Sequence, residues 1–284
     1  MRLGRRLLLT GLALLSIAPG LPGRTQPIPP ASAFALQGML SQGGVARGMA
    51  PPGTLDLRLD EQPVPFDADR RFIIAFDRDA APLARLTARL ADGRTIAEPL
   101  AVAPRAWRIE RIDAAMRPTS NTEAFMARRL PELARIAAAR AVTSDAQGWR
   151  QAIHWPRIGR ISGFFGAQRI YRGTPGAFHG GVDVAAPTGA TVMAPADGVV
   201  VLAAAEPFSL EGNLLIIDHG HGLNSAFLHL SRIDVKEGDH VAQGQRVGAV
   251  GATGRATGPH LHWAMKWNGA RIDPLLLAGP MPEG

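Results

Sequence analysis

His179, Asp183 and the pair in His260-Leu261-His262 are the residues of this chain best suited by type and spacing to do chemistry. Imidazole nitrogen and carboxylate oxygen are donors that zinc accepts, and a catalytic zinc takes three such ligands while keeping a fourth position for water. A strand turns residues i, i+2 and i+4 to one face, so His179 and Asp183 can point the same way, as can His260 and His262. Two short strands can therefore converge on one ion and leave histidines spare for proton transfer near neutral pH. All eight histidines lie between His154 and His262. The chain has no cysteine, which excludes thiolate ligation, thiol nucleophiles, disulfides and a lipoprotein anchor.

The elements that must position these residues are read as strands. From about His154 to Leu277 the chain is dense in glycine and β-branched residues, with strands expected at Val192–Ala194, Gly198–Ala203, Asn213–Asp218, Ser225–Leu230, Arg246–Val250 and His260–Met265. Helical periodicity is weak there, so residues 151–278 are expected to form an antiparallel β-domain. Ahead of it, alternation at Leu55–Leu59, Phe72–Phe76, Leu83–Leu90 and Trp107–Ile112, punctuated by turn residues, predicts a small β-sandwich-like domain over 53–115. That domain has no histidine, and its expected role is spacing or substrate positioning. A helical connector is expected over 116–150, opened by a capping box at Ser120 and Glu123 and kinked or divided at Pro131. Residues 24–52, rich in Pro, Gly, Ser and Ala, read as a linker with one early strand near Leu36–Leu40. The fold class is thus mainly β, two β-domains joined by a short helical connector.

At the amino terminus Arg2, Arg5 and Arg6 precede an apolar stretch, Leu7–Pro19, too short to span a bilayer and closed by Pro19, Gly20, Pro22 and Gly23. Residues 1–23 read as a secretory signal peptide. Arg5-Arg6 is also compatible with twin-arginine export, and a poor cleavage site leaves room for an uncleaved anchor. Export to a periplasm is the expectation. With 284 residues, 46% of them hydrophobic, the mature chain is long enough for two cores. Its net charge of +7 rests on arginine, because Lys236 and Lys266 are the only lysines. Such a surface suits an anionic partner such as a cell envelope. No run of interleaved arginine and aromatic residues stands out in the folded region, so nucleic-acid binding is not expected.

The C-terminal region resembles the M23 family of zinc metallopeptidases, the lysostaphin and LytM type that cut peptidoglycan peptides. The family's H-x-x-x-D matches His179-Gly180-Gly181-Val182-Asp183, followed by Ala185-Ala186-Pro187-Thr188-Gly189. Its H-x-H matches His260-Leu261-His262 after Gly258-Pro259. Between them Gly212-Asn213, Ile217-Asp218-His219-Gly220, Leu228-His229-Leu230-Ser231 and Val235-Lys236-Glu237-Gly238-Asp239 fall in the family's order. The resemblance covers roughly residues 161–274 and implies that His179, Asp183 and His262 bind Zn2+, with His229 and His260 as the catalytic pair. It does not assign which of those two is the base. One departure is Phe227, where many members carry tyrosine.

The implied activity is hydrolysis of amide bonds in peptidoglycan peptide stems or cross-links, with D-alanyl to diaminopimelyl links the natural target in a periplasm. The N-terminal domain would position the enzyme, occlude its cleft or recruit an envelope protein. Two other classes compete. One is a non-catalytic wall-binding module or activator of other hydrolases, disfavoured because every expected ligand is present. The other is a carrier domain, suggested by Val235–Val250 and Ala264-Met265-Lys266 but lacking a lysine at a hairpin tip. His219-Gly220-His221 reads as a hairpin turn, His154 and His240 as surface, and Arg169, Tyr171 and Arg172 as either a substrate-contacting or a solvated loop.

Overall fold

Strict alternation along Leu83–Leu90 buries Ala84, Leu86, Ala88 and Leu90 and turns Leu83, Arg85 and Arg89 outward. The same period-2 logic recurs along Val182–Ala185 and His260–Trp267 of the molecule, described here from a computed structural model over residues 32–116, 122–204 and 206–282. The expected signal peptide and the start of the expected linker lie outside the described residues.

In the N-terminal region β1 (Gln37–Gly38) pairs with β2 (Val45–Met49), and β3 (Thr54–Leu59) with β4 (Gln62–Pro63). β5 (Arg71–Ala75) completes a three-stranded antiparallel sheet with β1 and β2. β6 (Leu83–Leu90) and β7 (Thr95–Ala101) complete a four-stranded one with β4 and β3. Phe34, Leu57, Phe72, Ile74 and Leu86 are all buried within one apolar cluster. The strands here go beyond those expected, although β1 overlaps the early strand expected near Leu36–Leu40. The described part of the linker, 32–52, contains β2 with Val45, Ala46 and Ala50 buried. Its glycines mark close packing, since a Cβ at Gly48 would lie 2.5 Å from the Phe72 ring. β7 lies outside the strands expected from the sequence; it carries Pro99, which an edge strand tolerates.

β8 (Ile109–Ile112) leads to helix α1 (Glu123–Ala141), whose N-cap is Thr122; its hydroxyl accepts the Phe125 N–H. The expected cap, Ser120, lies outside the described residues. Pro131 sits inside α1, which runs through it as one element rather than two.

The C-terminal region opens with β9 (Arg160–Gly163), then β10 (Gln168–Tyr171), which pairs parallel with β8, and β11 (Thr174–Pro175). Next come β12 (Val182–Ala185), β13 (Thr191–Met193), β14 (Gly198–Ala203), β15 (Asn213–Asp218) and β16 (Leu223–Leu230). β17 (Arg232–Ile233), β18 (His240–Val241), β19 (Arg246–Ala249), β20 (His260–Trp267), β21 (Ala270–Ile272) and helix α2 (Pro274–Ala278) close the described chain. The main sheet is antiparallel in the order β18-β14-β15-β16-β20-β12-β9, with β21 added to β20; β13, β19 and β17 form a smaller sheet. Trp263, Leu261, Val182 and Val184 are buried on one face of the main sheet. On its other face Ile136 and Ala139 of α1 pack with Ile216, Ala226, Leu228 and Ala264. The fold is mainly β, as expected.

Candidate active site

β12 and β20 run antiparallel with Asp183 opposite His262 and Ala185 opposite His260. Because Leu261 and Trp263 fill the core, alternation turns His260 and His262 to the opposite face, where Asp183 joins them. His179 is not on the strand, contrary to the expectation of a shared strand face: it precedes β12, separated from it by Gly180 and Gly181. A Cβ at Gly181 would collide with the Trp263 carbonyl, so glycine at this position lets the chain lie close against the β20 backbone as it enters β12. The His179 N–H donates to the Ala167 carbonyl (2.8 Å), its carbonyl accepts from Gly166 N–H (2.9 Å), and its Nδ1 donates to the Phe164 carbonyl (3.1 Å).

A carbonyl can only accept, so His179 Nδ1 carries the proton and Nε2 presents a lone pair. That Nε2 lies 3.1 Å from Asp183 Oδ1 and 3.1 Å from His262 Nδ1, which is itself 2.8 Å from Asp183 Oδ1. Three electron-rich atoms thus converge, close to the roughly 3.3 Å edge of a tetrahedron with zinc-length bonds. The donor set fits a divalent cation, and it is the cluster with that chemistry among the described residues. Burial opposes ionisation of Asp183, but when the imidazoles carry a proton on the nitrogen that faces it, hydrogen bonds and charge from His179 and His262 outweigh burial and hold the carboxyl well below the ordinary range. Burial also lowers His262, while for His179 the Asp183 carboxylate overcomes burial and raises the imidazole.

His229 and His260 flank this cluster, their ring centroids 4.9 Å apart. In each, Nδ1 donates to a carbonyl 2.8 Å away, Thr253 for His229 and Gly258 for His260, which leaves Nε2 as acceptor. His260 Nε2 is 3.7 Å from Asp183 Oδ1. Plain alternation would send His229 to the core face with Phe227, which is fully buried. Instead β16 carries an extra residue against β15, the register shifting between Asn213 and Leu215. His229 takes φ +63°, and this bulge re-aims its ring toward His260. The Phe227 departure therefore falls on the core face.

These residues line an open cleft of about 380 Å³ together with Leu210, Glu211, Leu228 and the loop Arg255–Thr257. Glu211 was not singled out in the sequence, and a lone acid beside Gly212 gives no signal. It is nonetheless central: its backbone carbonyl accepts the His229 N–H (2.8 Å), and its carboxylate is gripped by Arg129 of α1 at 2.6 and 2.7 Å. One helical turn on, Glu132 accepts from both the Ser209 N–H and hydroxyl. The glycine- and threonine-rich run before Pro259 was the available signal for the Arg255 loop.

The remaining candidates lie elsewhere. His219 is fully buried between the Asp197 carbonyl (2.8 Å) and Ser225 Oγ (2.5 Å), and His221 stacks on Trp149. His154 and His240 are exposed. Arg169 and Arg172 pair with Glu110 and Asp113 rather than lining the cleft. Lys266 sits inside β20 opposite Asn224, which is no hairpin tip and does not suit a carrier lysine.

Residues 177–274 match the model of peptidase family M23. Over 123 residues, 43% of this chain, the sequence is 42% identical to the peptidoglycan DD-endopeptidase ShyA of Vibrio cholerae, and the match covers 28% of that protein. Over 105 residues, 37% of the chain, it is 42% identical to the DD-carboxypeptidase/endopeptidase Mpg of Neisseria meningitidis, of which it covers 24%. The chain therefore spans about a quarter of the length of the curated relatives it matches. A Pseudomonas aeruginosa crystal structure described as an M23 peptidase superposes with a TM-score of 0.65 at 31% identity, covering 84% of this chain and 95% of that one. The likeness thus runs through the N-terminal strands as well as the histidine cleft, and the chain belongs to peptidase family M23.

Proposed function

We propose that the chain is a zinc-dependent endopeptidase that hydrolyses amide bonds in peptidoglycan peptide cross-links, acting after export to the periplasm. The observation that carries this reading is the convergence of His179 Nε2, Asp183 Oδ1 and His262 Nδ1 beside two imidazoles with free Nε2 atoms, in an open cleft. His179, Asp183 and His262 would hold the ion. A bound zinc lowers the pKa of a coordinated water toward about 7 and polarises a carbonyl. His229 and His260 each have Nδ1 tied to a backbone carbonyl, so each Nε2 can take a proton at a fixed place and return it to the leaving amine. An activator without catalysis would have no use for two imidazoles so oriented. The names of the relatives, both of which include DD-endopeptidase or endopeptidase activity, favour a D,D cross-link as the bond cut. The basic signal-like segment supports export.

Digestion of purified, cross-linked peptidoglycan with and without chelator, resolved by mass spectrometry of the muropeptides, tests the proposal. Chelator-sensitive conversion of cross-linked dimers to monomers is expected. Intact dimers after exposure to folded, zinc-loaded protein would overturn it.

A further inference from the structure

Asp183 and His262 sit on paired strands, where a ladder fixes their direction, whereas His179 sits in a loop. Something else must hold it. Its two backbone hydrogen bonds and the one from Nδ1 go to residues 164–167, just ahead of the family-matched segment, which leaves Nε2 to face Asp183 and His262. That segment is held in turn from the N-terminal region. Arg78, only 6% exposed, donates from Nη2 to the Gly166 carbonyl (3.1 Å) and to Gln168 Oε1 (3.0 Å). Its guanidinium lies 5.2 Å from the Trp107 ring centre and 4.8 Å from that of Phe178, the residue before His179. Trp107 also presses on Gly166, where φ is +77° and any Cβ would collide with the indole.

On the reading that His179 binds zinc, we propose that Arg78, clamped between Trp107 and Phe178, is a positioning residue for that ligand: the N-terminal β-region is part of the metal site's support. Arginine is suited to this task because Nη2 donates to both acceptors while the planar guanidinium lies against two aromatic rings, a geometry the compact lysine ammonium does not reproduce. Outer partners that orient a metal-bound imidazole typically change metal affinity about 10- to 100-fold. Arg78 acts one step further out, through the backbone that grips both the main chain and Nδ1 of His179.

The test uses the full chain with Arg78→Met, Arg78→Lys and, as a control, Arg94→Met, whose side chain is exposed beside Asp92. Zinc affinity is measured by competition with a chromophoric chelator, the ligand set by the absorption spectrum of the cobalt(II)-substituted protein, and folding by the melting temperature of the metal-free form. Arg78→Met is expected to weaken zinc binding about 10-fold or more and to alter the cobalt spectrum. Arg78→Lys should fall between it and wild type, and Arg94→Met should match wild type. Wild-type affinity and spectrum in folded Arg78→Met would overturn the proposal. If Arg78→Met does not fold, Arg78→Lys decides on the same criteria. A wild-type protein that binds neither metal at one equivalent would overturn the zinc reading together with this one.

Discussion

Two arginines from outside the family-matched residues brace the two flanks of the cleft, and they do so in different ways. On the His179 flank, Arg78 holds backbone and amide oxygens through Nη2 from between two aromatic rings, and its carboxylate partner is the exposed Asp79 beside it in sequence. On the His229 flank, Arg129 grips the carboxylate of Glu211, a residue that lines the cleft and whose carbonyl accepts the His229 N–H. The first clamp is buried and aimed at the loop that carries His179. The second is an ion pair at the cleft wall, and it anchors α1 on the same sheet face that bears the histidines. On the zinc reading, the difference gives metal affinity and the shape of the cleft separate supports, so the two should be separable by mutation.

The largest effects fall on the donors themselves. Asp183→Ala should lower zinc affinity by more than the roughly 100-fold that outer partners cost and take muropeptide release to background; retention of one tight equivalent of zinc would remove Asp183 from the donor set. His229→Ala should keep its zinc and lose about 10²- to 10⁴-fold in turnover, measured on the same substrate with metal content determined in parallel. Loss of metal there would place His229 among the ligands. Arg129→Ala then isolates the second flank. Arg129 is 10% exposed and Glu211 17%, so removing the arginine leaves a largely buried carboxylate unpaired and should cost about 3 kcal/mol. Denaturant unfolding checks the cost, and zinc competition should return the wild-type affinity. If Arg129→Ala weakens zinc as much as Arg78→Met, the flanks are not separate.

Much of the frame was legible in the apolar pattern: β6 runs where strict alternation places it, and β14 and β15 where short apolar runs rich in β-branched residues do. β2 and β7 lie outside the expected strands; they carry Gly48 and Pro99, which the packing of Phe72 and the edge position accommodate. The set His179, Asp183, His229, His260 and His262 could be singled out because histidine is rare and clustered here, and all five line one cleft. How they are aimed was not legible. His179 leaves the strand through two glycines, and His229 reaches the cleft only through a bulge that inverts the alternation of Phe227-Leu228-His229. Arg78, Arg129 and Glu211 carry no pattern in a chain whose positive charge is nearly all arginine; they acquire roles only from contacts distant in sequence.

Lys266 supplies the smallest and most discriminating contrast with Arg129. Both are partly buried cations flanking the histidine-bearing face, but Arg129 meets two carboxylates while Lys266 is lowered to about 8, first by burial and then by the charges of Arg140 and Arg271, against a weaker pull from Asp77. Between about 8 and the ordinary 10.5 the folded chain binds fewer protons than the unfolded one, so stability rises with pH across that window, and the full penalty of the charged amine is present below it. Lys266→Met should therefore raise the melting temperature at pH 7 and raise it less at pH 10. A gain of the same size at both values would assign the effect to packing of the methionine rather than to relief of the charge. A loss at pH 7 would mean that Asp77 holds the ammonium as firmly as Glu211 holds Arg129, and the two cations would then be alike.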